Sequence, residues 1–307
     1  MSSTVEVGTK CKPFLKWAGG KGQLLKDIEG HLPMELRAGK LTKYVEPFVG
    51  GGAVFFYIAQ KYTTIERFYL LDVNADLINC YKAVKENVDD LIACLTELEA
   101  AFLPLDEMKR KEFYLNMRLR FNAEKQEAFD ARTASMLIFL NRTCFNGLYR
   151  VNKKGLFNVP YGRYKNPRIC NEVNLRSASE ILQRARIICG DFMESETYID
   201  ENTFVYFDPP YRPLSPTANF TAYSKGSFSE EDQLRLAQFC KLVCTKNAKL
   251  LLSNSDPKNE NPGDHFFEDQ YKKEDGFFID RVKAARAINC KGTGRGQIKE
   301  LLITNYS

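Results

Sequence analysis

Histidine and tryptophan are scarce in this chain of 307 residues, which contains two histidines, His31 and His265, and one tryptophan, Trp17. A Cys-x-x-Cys pair is also missing. Protein sites for zinc and similar metals are built mainly from histidine and cysteine ligands at close spacing. The sequence therefore gives no support for a bound metal ion.

Long apolar stretches are missing too. The chain has no run of about 18 apolar residues, the length that indicates a membrane-spanning helix. Its amino-terminal stretch MSSTVEVGTK is polar and lacks the apolar core of a secretion signal. We therefore predict a cytoplasmic protein without a membrane segment. Its nine cysteines should stay reduced, because disulfides are rare in that compartment.

Negatively charged side chains are absent from a long internal segment. The net charge of +5 is mild, but residues 141–168 contain no acid at all. Basic groups bind phosphates, arginine reads guanine edges, and aromatic rings stack on bases. The segment thus indicates a nucleic-acid contact, and a solvated basic loop is the alternative. Its basic and aromatic residues are Arg142, Phe145, Tyr149, Arg150, Lys153, Lys154, Phe157, Tyr161, Arg163, Tyr164, Lys165 and Arg168.

A glycine cluster lies between two elements of regular structure. Lys43–Glu46 predicts a strand, Gly50-Gly51-Gly52 a turn, and Ala53–Tyr62 a helix. A second strand, Arg67–Leu71, ends at Asp72, 20 residues after Gly52. This order is typical of a βαβ half of a doubly wound sheet, and the acid suits a ribose.

The glycine pattern is not that of a dinucleotide site. Phe55 stands where the third glycine of the dinucleotide fingerprint belongs, which leaves a nucleoside-type cofactor open. A tight turn followed by a surface acid is the alternative interpretation.

The rest of the chain predicts a split sheet. Helical spacing dominates from about Ala75 to Leu140, including Ala128–Leu140, and Asn141–Asn174 is typical of a loop. We predict an α/β fold in which residues 1–78 and 186–307 form one discontinuous catalytic domain. Residues 79–185 would form a helical, basic target-recognition insertion. The remaining predicted elements are a short helix at Lys21–Ile28, strands at Arg186–Cys189, Thr203–Phe207, Lys249–Leu252 and Leu301–Thr304, and a helix at Glu230–Cys244.

Trp17 lies in the stretch FLKWAGGK, which only superficially resembles a phosphate loop. Leu15 stands where that motif needs glycine, and Gly22 stands where it needs serine or threonine. ATP binding is therefore poorly supported. A tryptophan among glycines suits a ring packed on a ligand, and a core tryptophan is the alternative.

The most specific motif is Asp208-Pro209-Pro210-Tyr211, which ends the apolar run Phe204–Phe207. An amino group held there can donate one hydrogen to the Asp208 carboxylate and one to the Pro209 carbonyl, while Tyr211 stacks on the ring that bears it. Accepting both hydrogens restores electron density to a conjugated amine and orients it toward an electrophile. A strand-ending turn with a capping aspartate is the alternative.

Together these motifs resemble the Dam family of DNA adenine methyltransferases, over nearly the whole chain. The stretches that carry the resemblance are FLKWAGGK, VEPFVGGGAVFF, FNGLYRVN, FNVPYGRYKNP, FVYFDPPYRPLS and ANFTAY. The variant that the chain resembles most is the modification enzyme of DpnII-type restriction systems. That similarity lies in Ile78–Tyr81, Gly190–Phe192 and Leu252–Ser255.

The resemblance implies a Rossmann-like sheet that binds S-adenosylmethionine, with an inserted helical DNA-recognition domain, and methylation of adenine N6 in GATC on double-stranded DNA. It implies direct transfer to a base flipped out of the duplex, because N6 is paired inside the helix. It assigns cofactor contacts to Trp17, Lys21, Pro47, Phe48, Gly50, Gly52, Asp72, Asp191, Phe192 and Asp208. Catalysis falls to Asp208, Pro209, Pro210 and Tyr211. DNA contacts fall to Phe145, Asn146, Leu148, Arg150, Lys153, Pro160 and Arg163. Phe145 stands where some members carry tyrosine.

Two other functions remain open at this point. An RNA methyltransferase on the same sheet is one, although related enzymes acting on RNA or protein often carry asparagine at the position of Asp208. A DNA-binding module that has lost catalysis is the other, and Trp17, Lys21, Asp72 and Asp208 argue against it. Methylation of cytosine C5 is disfavoured, because that chemistry needs a cysteine nucleophile, typically after proline, and no cysteine here follows a proline.

One active site per target adenine suits a monomer. The resemblance to restriction systems also implies a cognate restriction endonuclease as a partner.

Overall fold

The structure is a computed structural model that describes residues 10–125, 130–212, 228–285 and 297–307. Its described strands form one seven-stranded sheet in the order β3-β2-β1-β4-β5-β7-β6. The strands are β1 (Lys43–Glu46), β2 (Arg67–Asp72), β3 (Ala185–Cys189), β4 (Thr203–Phe207), β5 (Lys249–Ser255), β6 (Phe278–Ala285) and β7 (Gln297–Thr304).

The described α-helices are α1 (Leu25–Gly30), α2 (Met34–Arg37), α3 (Ala53–Lys61), α4 (Ala75–Glu86), α5 (Val88–Phe102), α6 (Glu107–Glu124), α7 (Ala131–Thr143), α8 (Glu172–Leu182), α9 (Glu230–Thr245) and α10 (Phe266–Gln270). Short 3-10 helices lie at Lys21–Gln23, Phe145–Gly147, Phe192–Tyr198, Pro257–Asn259 and Lys273–Asp275. Within the described ranges, none of the helices combines the length and apolar character needed to cross a bilayer.

The sheet is parallel at its centre and antiparallel at one edge. β1 pairs in parallel with β2 and β4, and β4 pairs in parallel with β5. β7 runs antiparallel to both β5 and β6. The strand order reverses between β1 and β4, and ligands of open α/β sheets bind beyond the carboxyl ends of the strands at such a reversal. The turns after Glu46 and Phe207 therefore mark the expected site.

Local sequence explains the central elements. Every residue of β4, Thr-Phe-Val-Tyr-Phe, is buried, as expected for a strand covered on both faces. Helix α9 begins with a capping box in which Ser229 and Asp232 each accept a hydrogen bond from the other's backbone N–H. Its apolar face, including Leu236, Phe239 and Val243, packs in the core against β4 and β5.

Internal contacts divide the chain into two compact units. The sheet unit comprises Lys21–Val49, Tyr62–Val73 and Ile188–Ser307. The helical unit comprises the chain up to Gly20, Gly50–Lys61 and Asn74–Ile187, and the boundary near Ile187 falls inside β3. Helix α7 is buried along most of its length within the helical unit, which explains its unbroken apolar run Met136–Leu140. A separate recognition domain at residues 79–185 stays a prediction.

The predicted α/β fold is confirmed, and β1 and β4 have the predicted bounds. The differences have local causes. The helical run after Ala75 breaks at Asn87, whose φ of −137° and ψ of 45° are not helical. The predicted helix at Lys21–Ile28 is a 3-10 turn followed by α1. Strand β6 was not predicted, because Asp280, Arg281 and Lys283 hide its alternation, as is common at sheet edges.

Four predicted features lie outside the described residues, at least in part. They are the polar amino terminus, the beginning of the helix predicted from Ala128, and two stretches that carry part of the family resemblance, residues 213–215 at the end of FVYFDPPYRPLS and Ala218–Tyr223.

Candidate active site

Asp208 forms a buried ion pair at the carboxyl end of β4. Its Oδ1 lies 2.6 Å from Lys21 Nζ, and the Lys21 side chain is only 3% exposed. The same ammonium donates a hydrogen bond to the Tyr211 hydroxyl at 3.0 Å and lies 4.8 Å from the centre of the Tyr211 ring. The sheet unit therefore brings together Lys21, Asp208 and Tyr211, three residues that the sequence assigned to cofactor binding and catalysis.

Neighbouring strands and α9 hold the Asp-Pro-Pro-Tyr turn in place. Ser253 in β5 donates to Asp208 Oδ1 at 3.2 Å, and its hydroxyl also lies 2.9 Å from the Tyr206 hydroxyl. Gln233 in α9, which is 1% exposed, donates to the Pro210 carbonyl at 2.9 Å. These contacts fix both the carboxylate and the backbone of the turn.

Burial shifts the pKa of both members of the ion pair. Burial raises the pKa of Asp208, and the charge of Lys21 and the Ser253 hydroxyl offset only part of that rise. Burial, the largest single influence, would lower the pKa of Lys21, but the attraction of Asp208, Tyr211 and Glu300 together outweighs it and the net pKa is raised. Lys21 therefore stays charged, while Asp208 protonates more readily than a solvated aspartate.

The predicted role of Asp208, accepting a hydrogen from an amine, needs an ionised carboxylate. We therefore predict that acid abolishes the activity at a pH above the ordinary pKa of aspartate. Ser253→Ala removes a group that lowers the pKa of Asp208. We expect the acid limb of the kcat/KM profile, which reports the free enzyme, to move to higher pH in this variant.

The matched control is Ser135→Ala, which removes another buried serine hydroxyl, one bonded to the Arg132 carbonyl at 2.7 Å. This variant should leave the acid limb in place. An unshifted limb in Ser253→Ala would show that Asp208 does not control the acid side of the profile.

Glu300 in β7 is a further buried acid of the sheet unit, which sequence analysis missed. It is 7% exposed, and its Oε2 is buried with no hydrogen-bond partner among the described residues. Burial raises its pKa, and the charge of Lys21 and a hydrogen bond with Tyr211 offset part of the rise. Glu300 thus belongs to the Lys21–Tyr211 cluster and offers an unused acceptor to a ligand.

The other predicted cofactor residues of the sheet unit lie at the ends of β1, β2 and β3. Asp72 ends β2, and its carbonyl accepts from the Gly190 N–H at 3.1 Å, which places Asp191 nearby. Asp191 caps the 3-10 helix Phe192–Tyr198 and forms an ion pair with Arg235 at 3.2 Å. These contacts give Asp191 a structural role of its own.

An aromatic cluster follows β1 in the same unit. Pro47 is buried, and the ring of Phe48 lies 5.5 Å from the buried ring of Phe192. Phe192 also contacts Phe239 of α9, with ring centres 5.7 Å apart. The turn after β1 is thereby anchored to the core at the carboxyl edge of the sheet.

Three of the predicted cofactor contacts, Trp17, Gly50 and Gly52, lie in the helical unit. Gly50 and Gly52 have φ values of +47° and +70°, a region that favours glycine. A Cβ on Gly50 would lie 2.9 Å from Trp17 Cδ1, and one on Gly52 would lie 2.4 Å from the Tyr81 hydroxyl. The turn therefore has no room for side chains, and the edge of Trp17 packs directly on it.

The predicted DNA contacts share one loop of the helical unit. Phe145 is 51% exposed, and Asn146 is exposed with a φ of 56°. Leu148 is half-buried, and Pro160 is exposed while its carbonyl accepts from the Phe145 N–H at 2.8 Å. Arg163 is exposed with a φ of 54°, and Glu107 lies 3.8 Å from its guanidinium.

Arg150 begins a small hairpin in the same loop. Its guanidinium donates to the side chain of Asn158 at 2.7 Å and to the Asn158 carbonyl at 3.1 Å. Lys153 is exposed at the hairpin tip. Helix α6 holds the returning arm, since Asn122 bonds both the N–H and the carbonyl of Phe157.

Sequence analysis did not identify Ser253, Gln233 or Glu300, because only the folding of β5, β7 and α9 brings these residues next to the site. A weak signal was present for two of them. Ser253 ends the apolar run Leu250–Leu252, and Glu300 is the acid directly before Leu301–Ile303. The described residues contain no cluster of three His, Cys, Asp or Glu side chains suited to a metal ion.

A central parallel sheet with an acidic Asp-Pro-Pro-Tyr turn at its strand reversal defines a Rossmann-like methyltransferase. A family model described as D12 class N6 adenine-specific DNA methyltransferase matches residues 17–288. The chain belongs to this family and is an adenine-specific DNA methyltransferase.

Relatives from several organisms match the chain over nearly its full length. The type II methyltransferase M.MjaIII of Methanocaldococcus jannaschii is 53% identical, with 96% of this chain and 99% of the relative covered. The DNA adenine methylase of Vibrio cholerae is 40% identical, with 95% of each chain covered. That of Escherichia coli is 39% identical, also with 95% of each covered. The predicted resemblance to the Dam family is thus confirmed.

Proposed function

We propose that this enzyme transfers a methyl group from S-adenosylmethionine to N6 of an adenine that is flipped out of double-stranded DNA, within the sequence GATC. The observation that carries the proposal is the ammonium of Lys21, held 2.6 Å from the Asp208 carboxylate. The carboxylate thus already pairs with a nitrogen donor through Oδ1, and its other oxygen can accept from an amine. Tyr211 lies beside it and can face the ring that bears the amine.

The residues present fit S-adenosylmethionine. The Asp72 carboxylate at the end of β2 suits the two ribose hydroxyls, and the Phe48–Phe192 pair suits a flat purine. Glu300 and Lys21 offer an acceptor and a cation to the amino-acid end. In the helical unit, Gly50 admits no side chain because Trp17 packs directly on it, which holds two of the predicted cofactor residues together. When bound, the cofactor supplies an electrophilic methyl group on its sulfonium.

The catalytic turn acts by position and charge. Lys21 and Ser253 both contact Oδ1 of Asp208, and we assign Oδ2 to one hydrogen of the adenine amine. The Pro209 carbonyl takes the other hydrogen, while Gln233 holds the neighbouring Pro210 carbonyl. With both hydrogens accepted, electron density would be restored to the nitrogen, which could then attack the electrophilic methyl group that the cofactor would supply. The proton that the nitrogen loses after transfer passes to Asp208 or to water.

Base flipping follows from the position of N6 in paired DNA. The exocyclic nitrogen is hydrogen-bonded inside the helix, so Asp208 and Tyr211 can reach it only after the nucleotide leaves the stack. The exposed ring of Phe145 suits the gap or base step that flipping opens. GATC as the target rests on the family resemblance.

The biological setting is also part of the proposal. The relative from Methanocaldococcus jannaschii is named a type II methyltransferase, which supports a role beside a restriction endonuclease of the same specificity. We further propose a cytoplasmic monomer, since one site acts on one adenine at a time.

The test is methyl transfer from labelled S-adenosylmethionine to duplexes that contain GATC or a single-base variant of it. We expect N6-methyladenine as the labelled product, formed only on GATC. A 2-aminopurine in place of the target adenine should brighten when the enzyme binds, because the base becomes unstacked. Transfer to another adenine-containing site would overturn GATC alone, and no transfer to any duplex would overturn the proposed activity. Tight specific binding without brightening would overturn flipping.

A further inference from the structure

The tryptophan that we assign to the cofactor is attached to the segment that we assign to DNA. The buried amide of Asn141 accepts from the Lys16 N–H and donates to the Lys16 carbonyl, each at 2.9 Å. The same amide donates to the Gly147 carbonyl at 2.9 Å. Gly147 has a φ of +63°, and a Cβ on it would lie 2.4 Å from Cδ of Lys16. The backbone before Trp17 and the turn after Phe145 therefore pack as one element within the helical unit.

Tyr149 completes this connection at the level of side chains. Its ring stacks on Trp17 with ring centres 5.2 Å apart and an angle of 25° between the planes. Its hydroxyl donates to Asp76 Oδ2 at 2.6 Å, and Lys125 Nζ lies 2.6 Å from the same oxygen. The side chains of Asp76 and Lys125 are 10% and 11% exposed. Tyr149 is thus tethered at its hydroxyl end and presents its ring face to Trp17.

The protonation state of Tyr149 supports a permanent tether. Burial and the nearby charge of Asp76 raise the pKa of its phenol. The hydroxyl therefore stays protonated at physiological pH and can donate to Asp76, which also pairs with Lys125.

Besides Tyr149, Trp17 contacts the glycine turn. Its indole ring occupies the space that a Cβ on Gly50 would need, and the Gly50 carbonyl accepts from the Tyr81 hydroxyl at 3.1 Å. Trp17 is therefore packed between Tyr149 and the turn, and a change in the position of one contact requires a change at the other.

We propose that Tyr149 is a positioning residue: tethered to Asp76, its ring sets the plane of Trp17 against the glycine turn and transmits the state of the DNA segment Phe145–Arg150 to the cofactor contact. The inference rests on the proposed function, because it takes Trp17 as a cofactor contact and this segment as a DNA contact. We assign Tyr149 no direct contact with either ligand. Binding of DNA to the segment and of cofactor beside Trp17 should then favour the same ring arrangement.

Trp17 provides a direct readout, because it is the only tryptophan of the chain. We expect Tyr149→Ala to shift its emission to longer wavelength and to make it more accessible to acrylamide, with no ligand present. Affinity for S-adenosylmethionine, measured by calorimetry, should fall about two- to tenfold, the usual range for one lost aromatic stack. Tyr149→Phe keeps the ring that stacks on Trp17 but removes its hydrogen bond to Asp76. It should therefore change Trp17 emission and cofactor affinity in the same direction, by smaller amounts.

The control is Tyr114→Phe, which removes another buried tyrosine hydroxyl of the helical unit, bonded to the Val159 carbonyl at 2.7 Å. This variant should match Tyr149→Phe in thermal stability and match wild type in Trp17 emission. In wild type, duplex DNA should change Trp17 emission, and in Tyr149→Ala this response should be lost.

Wild-type emission and cofactor affinity in Tyr149→Ala would overturn the positioning role, and no response of wild-type Trp17 to bound DNA would overturn the transmission. Failure of the proposed function is distinguishable, since it appears as wild type that neither binds S-adenosylmethionine nor methylates DNA. The quenching measurement without ligand tests the Tyr149 stack in either case.

Discussion

Asp208→Ala is expected to lower kcat for methyl transfer by about a hundredfold or more, the usual cost of losing one group that stabilises developing charge. The reason is that Asp208 supplies the only charged acceptor of the Asp-Pro-Pro-Tyr turn, and the adenine nitrogen is a weak nucleophile without it. The measurement is single-turnover transfer to a GATC duplex, together with circular dichroism and thermal unfolding of the variant.

Loss of the fold is the main alternative cause of inactivity, because Asp208→Ala leaves the buried Lys21 without its 2.6 Å partner. Breaking such a pair from one side costs roughly 3–5 kcal/mol. Asp208→Asn keeps the shape and a neutral acceptor. Since charged acceptors form hydrogen bonds about twice as strong as neutral ones, this variant should fall between wild type and Asp208→Ala.

A control lies at the other end of the same strand. Asp200 precedes β4 and pairs with Lys43, so Asp200→Ala also removes an aspartate from an aspartate–lysine pair without touching the site. It should retain wild-type turnover. Turnover near that of wild type in a folded Asp208→Ala protein would show that the carboxylate does not orient the amine.

The core of this fold could be predicted because its signals are local. β4 is an uninterrupted apolar run that ends at Asp208-Pro209, and proline cannot continue a central strand. β1 ends where Pro47 and the glycine cluster begin. These boundaries depend on a few adjacent residues, and the structure places both strands at the predicted positions.

The side-chain contacts around the catalytic turn could not be predicted from the sequence. Lys21 and Tyr211 are 190 residues apart, and only the pairing of β1 with β4 brings their segments to one edge of the sheet. Motifs identified both residues, but they did not predict the hydrogen bond between them or the ion pair of Lys21 with Asp208. Glu300 depends further on the antiparallel return of β7, which no local pattern specifies.

The stacking of Tyr149 on Trp17 could not be predicted from the sequence either. Tyr149 was identified only as one aromatic residue among basic neighbours. Its tether needs Asp76 from the first turn of α4 and Lys125 from the end of α6, two residues that sequence analysis did not single out. Packing of α4 and the end of α6 against the loop that carries Tyr149, rather than any local sequence pattern, creates this contact.

Arg150→Ala is expected to relax discrimination at one base pair of the target by roughly 1–3 kcal/mol. Arginine makes paired hydrogen bonds to guanine O6 and N7, and Arg150 is exposed in a segment without acids. Asn158 holds its Nε and one terminal nitrogen, so the guanidinium is already oriented before DNA arrives. The measurement is methylation kinetics on GATC and on each single-base variant.

Variants of two neighbouring residues, Lys153 and Asn158, distinguish base recognition by Arg150 from phosphate binding. Lys153 lies at the exposed tip of the hairpin that Arg150 begins, where a cation reaches phosphates without a fixed direction. Lys153→Ala should weaken binding to every sequence alike and lower the slope of log affinity against log salt by about 1. Asn158→Ala leaves Arg150 in place but removes the side-chain acceptor that orients it. It should therefore relax discrimination at the same base pair as Arg150→Ala, by a smaller amount.

The pattern across the three variants decides the role of Arg150. If Arg150→Ala slows methylation of all duplexes equally and lowers the salt slope as Lys153→Ala does, Arg150 binds a phosphate and another residue reads the base. If Asn158→Ala relaxes a different base pair, the hairpin as a whole, and not the guanidinium, sets the specificity. Loss at a single base pair in both Arg150→Ala and Asn158→Ala, with a uniform loss in Lys153→Ala, requires that Arg150 contact a base edge in an orientation that Asn158 fixes.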